Sequence, residues 1–483
     1  MHPRSIVVMA LVLALLGTLF ELPLRAVEAA TPKPDIVLFY LDDFAPHPAR
    51  MWNDRARTPE LARFANRGLE FENAIVSTPL CGPSRANLLT GKYGHANGVT
   101  QNDIRRYDPG TSLSPKLRSR GYKTVFIGKH INRLKNQYPN RRAMTRLSAK
   151  WDRFDVMWEN QGRVFEWTQY RKSGTREYGK GSLQHSTYVA AKRAAEVIDK
   201  SKRSKPLFMV ISLVDGHKPM TPLKRFKGDA ACADIGRWSG PAFNEADVSD
   251  KPRHMRATPK LPLASYPLRQ RCEQLLTVDW AVATVRKALQ RNGRLSNTLQ
   301  VLTADNGWLM GDHRLEGKTY PYATRVPLYM QWPAVIGTKG RTVREPVSNV
   351  DFGRTFCALA GCAMPASDGS SLLPLINGTR KQLGRQFLYV EMLHANRYYG
   401  GRPWARPAWA GVETTLGYDD TLWAFTRYQT GEEELYDLTN DPHRLVNLAG
   451  RAAYAAVRRD LRGFWREVWV RDGVKWKGKV RAG

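Results

Sequence analysis

The chain has 483 residues, 42% of them hydrophobic, and a formal net charge of +31. That apolar content excludes a disordered chain, and the length allows one large domain with a smaller companion. The surplus of positive charge favours anionic ligands, but it is scattered along the chain and no zinc-finger or basic-zipper pattern accompanies it, so no nucleic-acid partner is expected.

Residues 1–30 have the layout of a secretory signal peptide: Arg4, an apolar run from Ile6 to Phe20, then small residues around Ala29 and Ala30. The run is short for a membrane span. Removing the segment takes away Arg4, Arg25, Glu21 and Glu28, so the charge stays at +31. A secreted or extracytoplasmic protein is expected, with no membrane span after cleavage.

Asp35 to Asp43, DIVLFYLDD, reads as a buried strand ending in two carboxylates. Thr58 to Gly68 reads as a helix, with Thr58 as cap, Pro59 in the first turn and Gly68 as stop. PLCGPSRANLLTG, ending at Gly91, reads as a helix that begins near Cys81, with Arg85 one turn on. Further strands are expected in GYKTVFIGKH (Gly121 to His130), PLFMVISLVDGHKP (Pro206 to Pro219) and NTLQVLTADNG (Asn297 to Gly307). Leu275, Val278, Val282, Val285 and Leu289 mark an amphipathic helix closed by Gly293. Pro139 to Gly181 lacks periodicity and reads as a surface excursion; Lys218 to Pro267 reads as a second long loop. From Phe387 onward the pattern is short strands followed by a helix.

Strands alternating with helices imply an α/β fold with a mainly parallel sheet. Ligands of such sheets bind at the carboxyl ends of the strands, where Asp42, Asp43, Asp305 and Asn306 fall. Four oxygen donors suit a hard divalent cation. Of the five cysteines, Cys357 and Cys362 are close in sequence, and Cys232 and Cys272 flank a loop-rich stretch. Pairing them leaves Cys81 over, as a thiol, a disulfide partner or a nucleophile. A helix N-terminus favours its thiolate, and Arg85 can clamp an oxyanion.

The motif Cys81-Gly82-Pro83-Ser84-Arg85, with the Leu pair and Thr-Gly that follow, resembles the signature of the type I sulfatases of the alkaline-phosphatase-like superfamily. GYKTVFIGKH, VDGHKPMTP, NTLQVLTADNGWLMGDHRLEGK and GEEELYDLTNDPHRLVNLA are similar to other family segments. FNEADVSDKP (Phe243 to Pro252) is similar to glucosamine-6-sulfatase-like members. The resemblance covers roughly Asp35 to Leu448. It implies an alkaline-phosphatase-like sandwich: a large mixed, mainly parallel sheet flanked by helices over 31–380, then a smaller domain of antiparallel sheet and helix over 381–483.

It also implies that a formylglycine-generating enzyme oxidises Cys81 to Cα-formylglycine (3-oxoalanine). Calcium, with magnesium as the alternative, would sit on Asp42, Asp43, Asp305, Asn306 and the modified Cys81. Arg85, Lys129 and Lys318 would hold the sulfate of an anionic substrate, a sulfated carbohydrate. The hydrated aldehyde would attack sulfur with Asp305 as base. His217 or Lys318 would protonate the leaving alcohol, and His130 would assist the elimination of sulfate. His313 is a candidate substrate contact. Relatives often read Gly-Lys-Trp-His where this chain has Gly128-Lys129-His130-Ile131-Asn132, so His130 falls one place early. The alternative functions are a phosphonate monoester or phosphodiester hydrolase of the same superfamily, and an inert basic polyanion-binding protein.

Overall fold

In a computed structural model of the chain, residues 32–45, 57–235, 239–262, 268–395 and 406–477 are described. The expected signal peptide lies outside them.

Asp35–Leu41 (β1) is buried at every position, which is what a strand covered on both faces requires. It lies at the middle of a ten-stranded sheet. The other strands are Leu69–Phe71 (β2), Lys123–Gly128 (β3), Arg153–Glu159 (β4), Trp167–Arg171 (β5), Gly174–Tyr178 (β6), Leu207–Ser212 (β7), Thr298–Ala304 (β8), Leu328–Gln331 (β9) and Arg341–Val343 (β10). Their order is β10-β2-β9-β8-β1-β7-β3-β4-β5-β6. The central run β8-β1-β7-β3-β4 is parallel throughout. Antiparallel pairs extend it on both sides, at β9 with β8 and β2, and at β5 with β4 and β6.

Two groups of helices pack on this sheet. One joins Pro59–Arg67 (α1), Ser186–Asp199 (α2) and Leu268–Arg291 (α3); the other joins Cys81–Thr90 and Asp351–Ala360. Thr58 precedes α1 but makes no side-chain cap. The cap comes from α3 instead, where Asp279 Oδ1 accepts from the amides of Glu60 at 2.8 Å and Leu61 at 2.9 Å. Gly293 follows α3 in the left-handed region, at φ +63°.

The expectation of a surface excursion over 139–181 is wrong. This segment carries β4, β5 and β6, and Trp151, Phe154, Val156 and Met157 are fully buried. Its β5–β6 hairpin lies at a sheet margin, where antiparallel strands carry one wet face. The loop over 218–267 is a loop, pinned by a Cys232–Cys272 disulfide; Cys357–Cys362 is the second, and Cys81 is free and buried.

Phe387–Met392, Trp409–Thr414, Trp423–Tyr428 and Glu433–Asp437 form a separate four-stranded antiparallel sheet, and Ala455–Arg471 packs on it. The architecture is thus the mixed, mainly parallel sheet with helices and the smaller antiparallel sheet expected. Among the described residues no helix is long and apolar enough to cross a membrane.

Candidate active site

Register brings distant residues together. Leu41 pairs with Ala304 and Tyr40 with Ser212 across parallel strands. The residues just past these ends, Asp42 and Asp43 after β1 and Asp305 and Asn306 after β8, therefore emerge side by side. Asp43 turns back with φ +58°, and its amide donates to Asp305 Oδ1 at 3.1 Å. Lys129 follows β3 through Gly128 at φ +99°. A Cβ there would stand 1.9 Å from Ser212 O, so only glycine lets the chain turn here.

Cys81 is the first residue of its helix, which is buried throughout and ends at Gly91 in the left-handed region. Cys81 Sγ lies 3.3 Å from Asp42 Oδ1 and 3.9 Å from Asp43 Oδ1. One ligand atom each from Asp42, Asp43, Cys81 and Asp305 falls within 4.8 Å of the others. Lys318 Nζ is 2.5 Å from Asp43 Oδ1 and 2.7 Å from Cys81 Sγ, and Lys129 Nζ bonds Asp42 Oδ2. Arg85 Nε donates to Asp305 Oδ2 at 2.8 Å, and its Nη1 to Lys129 O at 2.7 Å and Ser212 Oγ at 2.6 Å. All of these side chains are at most 1% exposed.

Burial drives the electrostatics. Burial works against ionised Asp42, but Lys129, His217, Arg85 and Lys318 together hold it below the usual carboxylate range. Asp305 is pushed up by burial and by the charge of Asp42. The Cys81 thiol is pushed well up, first by burial and then by Asp305 and Asp42. This runs against the expectation of a favoured thiolate: burial, with the charges of Asp305 and Asp42 added to it, outweighs the helix N-terminus.

The donor set fits a hard cation. Asp43 Oδ2 and Asn306 Oδ1 are buried without a hydrogen-bond partner, while Asn306 Nδ2 is turned to Asp43 Oδ1 at 2.7 Å. One orphaned carboxylate oxygen and one orphaned amide oxygen, beside the carboxylates of Asp42 and Asp305, match an oxygen-seeking ion. Arg85 Nη2 is likewise a buried donor without an acceptor.

His217 and Asp43 open onto a cleft of about 380 Å³ that Trp308, Tyr320, His254, Arg314 and Arg406 also line. His217 Nδ1 lies 2.6 Å from Lys218 O, so this nitrogen carries the proton and Nε2 is left for other work. The two remaining candidate histidines are not brought into the cluster. The His130 ring is enclosed by Phe126 at 4.7 Å, Phe154 at 5.1 Å and Tyr107 at 6.1 Å, and neither nitrogen has a partner. Burial lowers its pKa to about 3. His313 Nδ1 is 2.6 Å from Glu245 Oε2, and its ring stands 4.3 Å from that of Tyr322.

The sequence reading missed Ser212, which receives Arg85, and Arg271, whose Nη1 donates to Asp43 O at 3.2 Å. A charged residue at a buried position of α3 was the available signal for Arg271. The cleft residues Trp308, Tyr320, His254 and Arg406 left no motif.

The family model described as "Sulfatase" matches residues 34–362, more than half of the chain. The chain belongs to the sulfatase family. A second model, for the C-terminal part of N-sulphoglucosamine sulphohydrolase, matches residues 311–468. This sulfatase, a sulfuric ester hydrolase, is 26% identical over 491 residues to the human N-acetylglucosamine-6-sulfatase, covering 91% of this chain and 85% of the relative. It is 25% identical over 522 residues to the N-acetylglucosamine-6-O-sulfatase of Bacteroides thetaiotaomicron, covering 91% and 88%. Its fold is similar to that of a solved protein bound to its substrate D-glucosamine-2-N,6-O-disulfate, with TM-score 0.70, 21% identity and 91% and 98% coverage. It is also similar to that of the Agrobacterium radiobacter phosphonate monoester hydrolase, with TM-score 0.67, 19% identity and 91% and 96% coverage.

Proposed function

We propose that this sulfatase is exported and removes sulfate from a sulfated carbohydrate, with calcium and a Cα-formylglycine made from Cys81 by a formylglycine-generating enzyme. The observation that carries the reading is the buried cluster of Asp42, Asp43, Asp305, Asn306 and Cys81, ringed by Arg85, Lys129 and Lys318. The carbohydrate assignment is supported by the glucosamine sulfatases among the relatives and by the aromatic lining of the cleft. In the proposed organisation residues 1–30 are a signal peptide, 31–380 the catalytic domain and 381–483 the smaller one.

Asp42, Asp43, Asp305 and Asn306 would hold the cation, whose chemistry there would be to polarise a sulfate oxygen. A Cα-formylglycine at position 81 would, as its hydrate, supply both the attacking oxygen and a hydroxyl for the release of sulfate. The protein does the rest. Arg85 offers its Nη2, which makes no hydrogen bond, and Lys129 and Lys318 their ammonium groups, to the sulfate oxygens, so charge that develops there meets fixed donors. Asp305 accepts the proton of the attacking group. His217, its ring fixed by the Nδ1–H bond to Lys218 O, would give the leaving alcohol a proton from Nε2 when the ring carries a second proton. His130 has no place in this scheme, because its ring nitrogens are enclosed by aromatic side chains.

Peptide mass spectrometry across Cys81 of the active protein tests the reading. The expected result is the aldehyde; an unmodified thiol or a disulfide in fully active protein would overturn it. A sulfate ester and a phosphonate monoester with the same leaving group then separate the two hydrolase chemistries, with faster turnover expected for the sulfate.

A further inference from the structure

The cations of the cleft are not equivalent. Lys218 Nζ is paired with Glu316 Oε1 at 2.5 Å, and Lys318 with Asp43. Arg314 has no such partner. Its Nε donates to Glu245 O at 2.9 Å and its Nη2 to Ala246 O at 2.7 Å, and among the described residues no carboxylate reaches it within ion-pair distance. Two backbone carbonyls fix the plane of the guanidinium without neutralising it, and among the described residues Nη1 makes no hydrogen bond.

The carbonyls themselves are anchored. Residues 242–245 run against the 311–314 turn: Asn244 N donates to Gly311 O at 2.8 Å and His313 N to Ala242 O at 2.8 Å. Glu245 is gripped by His313 on one side and by Lys251 at 3.4 Å on the other. Arg314 is thus a half-buried cation, held by two carbonyls and in no close ion pair among the described residues, on the wall of the cleft that Asp43 and His217 also line, with Asp247 acting on it only from a distance. Partly buried guanidinium groups are normally paired, and their planar fork matches sulfate and carboxylate. His254 lines the same cleft with a buried Nδ1 that has no partner, and Arg406 does so with its guanidinium 4.0 Å from the Tyr320 ring.

We propose that this wall holds a second anionic group of the substrate, a sulfate or a carboxylate, against Arg314, so that the enzyme selects sugars charged at two positions. The proposal rests on the sulfatase reading and narrows its substrate class. The Glu245–His313 pair acts as a positioning device, setting the orientation of Arg314 from behind.

Calorimetry on the Cys81→Ala protein in calcium buffer tests this without turnover. The probes are glucosamine 6-sulfate, glucosamine 2-N,6-O-disulfate, and glucosamine 6-sulfate linked to a uronate. One doubly charged probe should bind at least about tenfold more tightly than the 6-sulfate, the size expected for a hydrogen bond to a charged group. Which of the two it is distinguishes sulfate from carboxylate. Adding Arg314→Gln should cost that probe at least about tenfold and the 6-sulfate less than about threefold, with Arg314→Lys keeping part of the preference. Equal affinity for all three probes, at whatever absolute level, or a preference that survives Arg314→Gln, would overturn the proposal. The unsubstituted enzyme separates the two failures. Sulfate release without preference sinks the second subsite alone, and no release from any ester sinks the sulfatase reading as well.

Discussion

Lys318 reaches Cys81: its Nζ stands 2.7 Å from Sγ while also touching Asp43 Oδ1 at 2.5 Å. One ammonium group therefore spans the proposed nucleophile position and a cation ligand. Lys318→Ala should lower kcat by about 100- to 1000-fold, the range for loss of a donor to developing charge. An aryl sulfate assay with a circular dichroism control checks this, and near-normal kcat would remove Lys318 from the machinery.

Cys81 fills a small buried site at a helix start, and alanine keeps the helix there. Cys81→Ala should abolish turnover and leave the thermal midpoint within a few degrees of the parent. Retained activity in that variant would sink the assignment of the nucleophile.

Three buried carboxylates gathered at one point, one of them with an orphaned oxygen, should make cation binding and folding one equilibrium. Calcium at one hundred times its Kd should stabilise the protein by about 2.7 kcal/mol. Chelation should reverse the gain, and Asp43→Asn should blunt it. Thermal scans with and without chelator measure the effect; identical midpoints would count against the cation site.

His95 links the segment after the Cys81 helix to the C-terminal part. Its Nδ1 is 2.8 Å from Glu391 Oε2 and its Nε2 3.2 Å from Asp472 Oδ2. Burial opposes the charged ring, but the two carboxylates win and raise its pKa from 6.5 to about 9. The group is charged in the folded state over a range where it is neutral when unfolded. Its contribution is therefore complete below pH 6.5 and is lost as pH rises through about 9. Chemical denaturation at pH 6, 8 and 10 should show this decline, and His95→Gln should flatten it.

The Cys232–Cys272 disulfide closes a 40-residue separation that includes the cleft residues His254, Thr258 and Leu261. Loop-closure entropy puts its contribution near about 4 kcal/mol. Cys232→Ser with Cys272→Ser should lose most of that and raise KM for a sugar substrate more than for an aryl sulfate. An equal rise for both substrates would mean that the loop does not shape the sugar-binding wall.

The strands of the site were legible because parallel strands buried on both faces read as unbroken apolar runs, and each of these runs stops at a polar residue. DIVLFYLDD and NTLQVLTADNG announce both the strand and its functional end. Residues 139–181 hid their strands, because a margin hairpin mixes Trp, Tyr and Arg with no single period. The cleft wall was illegible for another reason. His254 and Arg406 come from segments far from the one that holds Trp308 and Arg314, and they meet it only through tertiary packing. At Cys81 local sequence exposes the helix start but neither the burial of the thiol nor the carboxylates that register delivers to it.

Cys81 is 1% exposed in a helix with no accessible residue. On the proposed reading, a second protein can reach that sulfur only while the chain is still open. Folding and conversion are then competitors for each newly made molecule, and the first to finish decides its fate. A chain that folds early is locked in as a stable, inactive species, and no later supply of the modifying enzyme rescues it. The specific activity of any preparation would be a record of the conditions during synthesis, and slowing the folding of nascent chains would raise it.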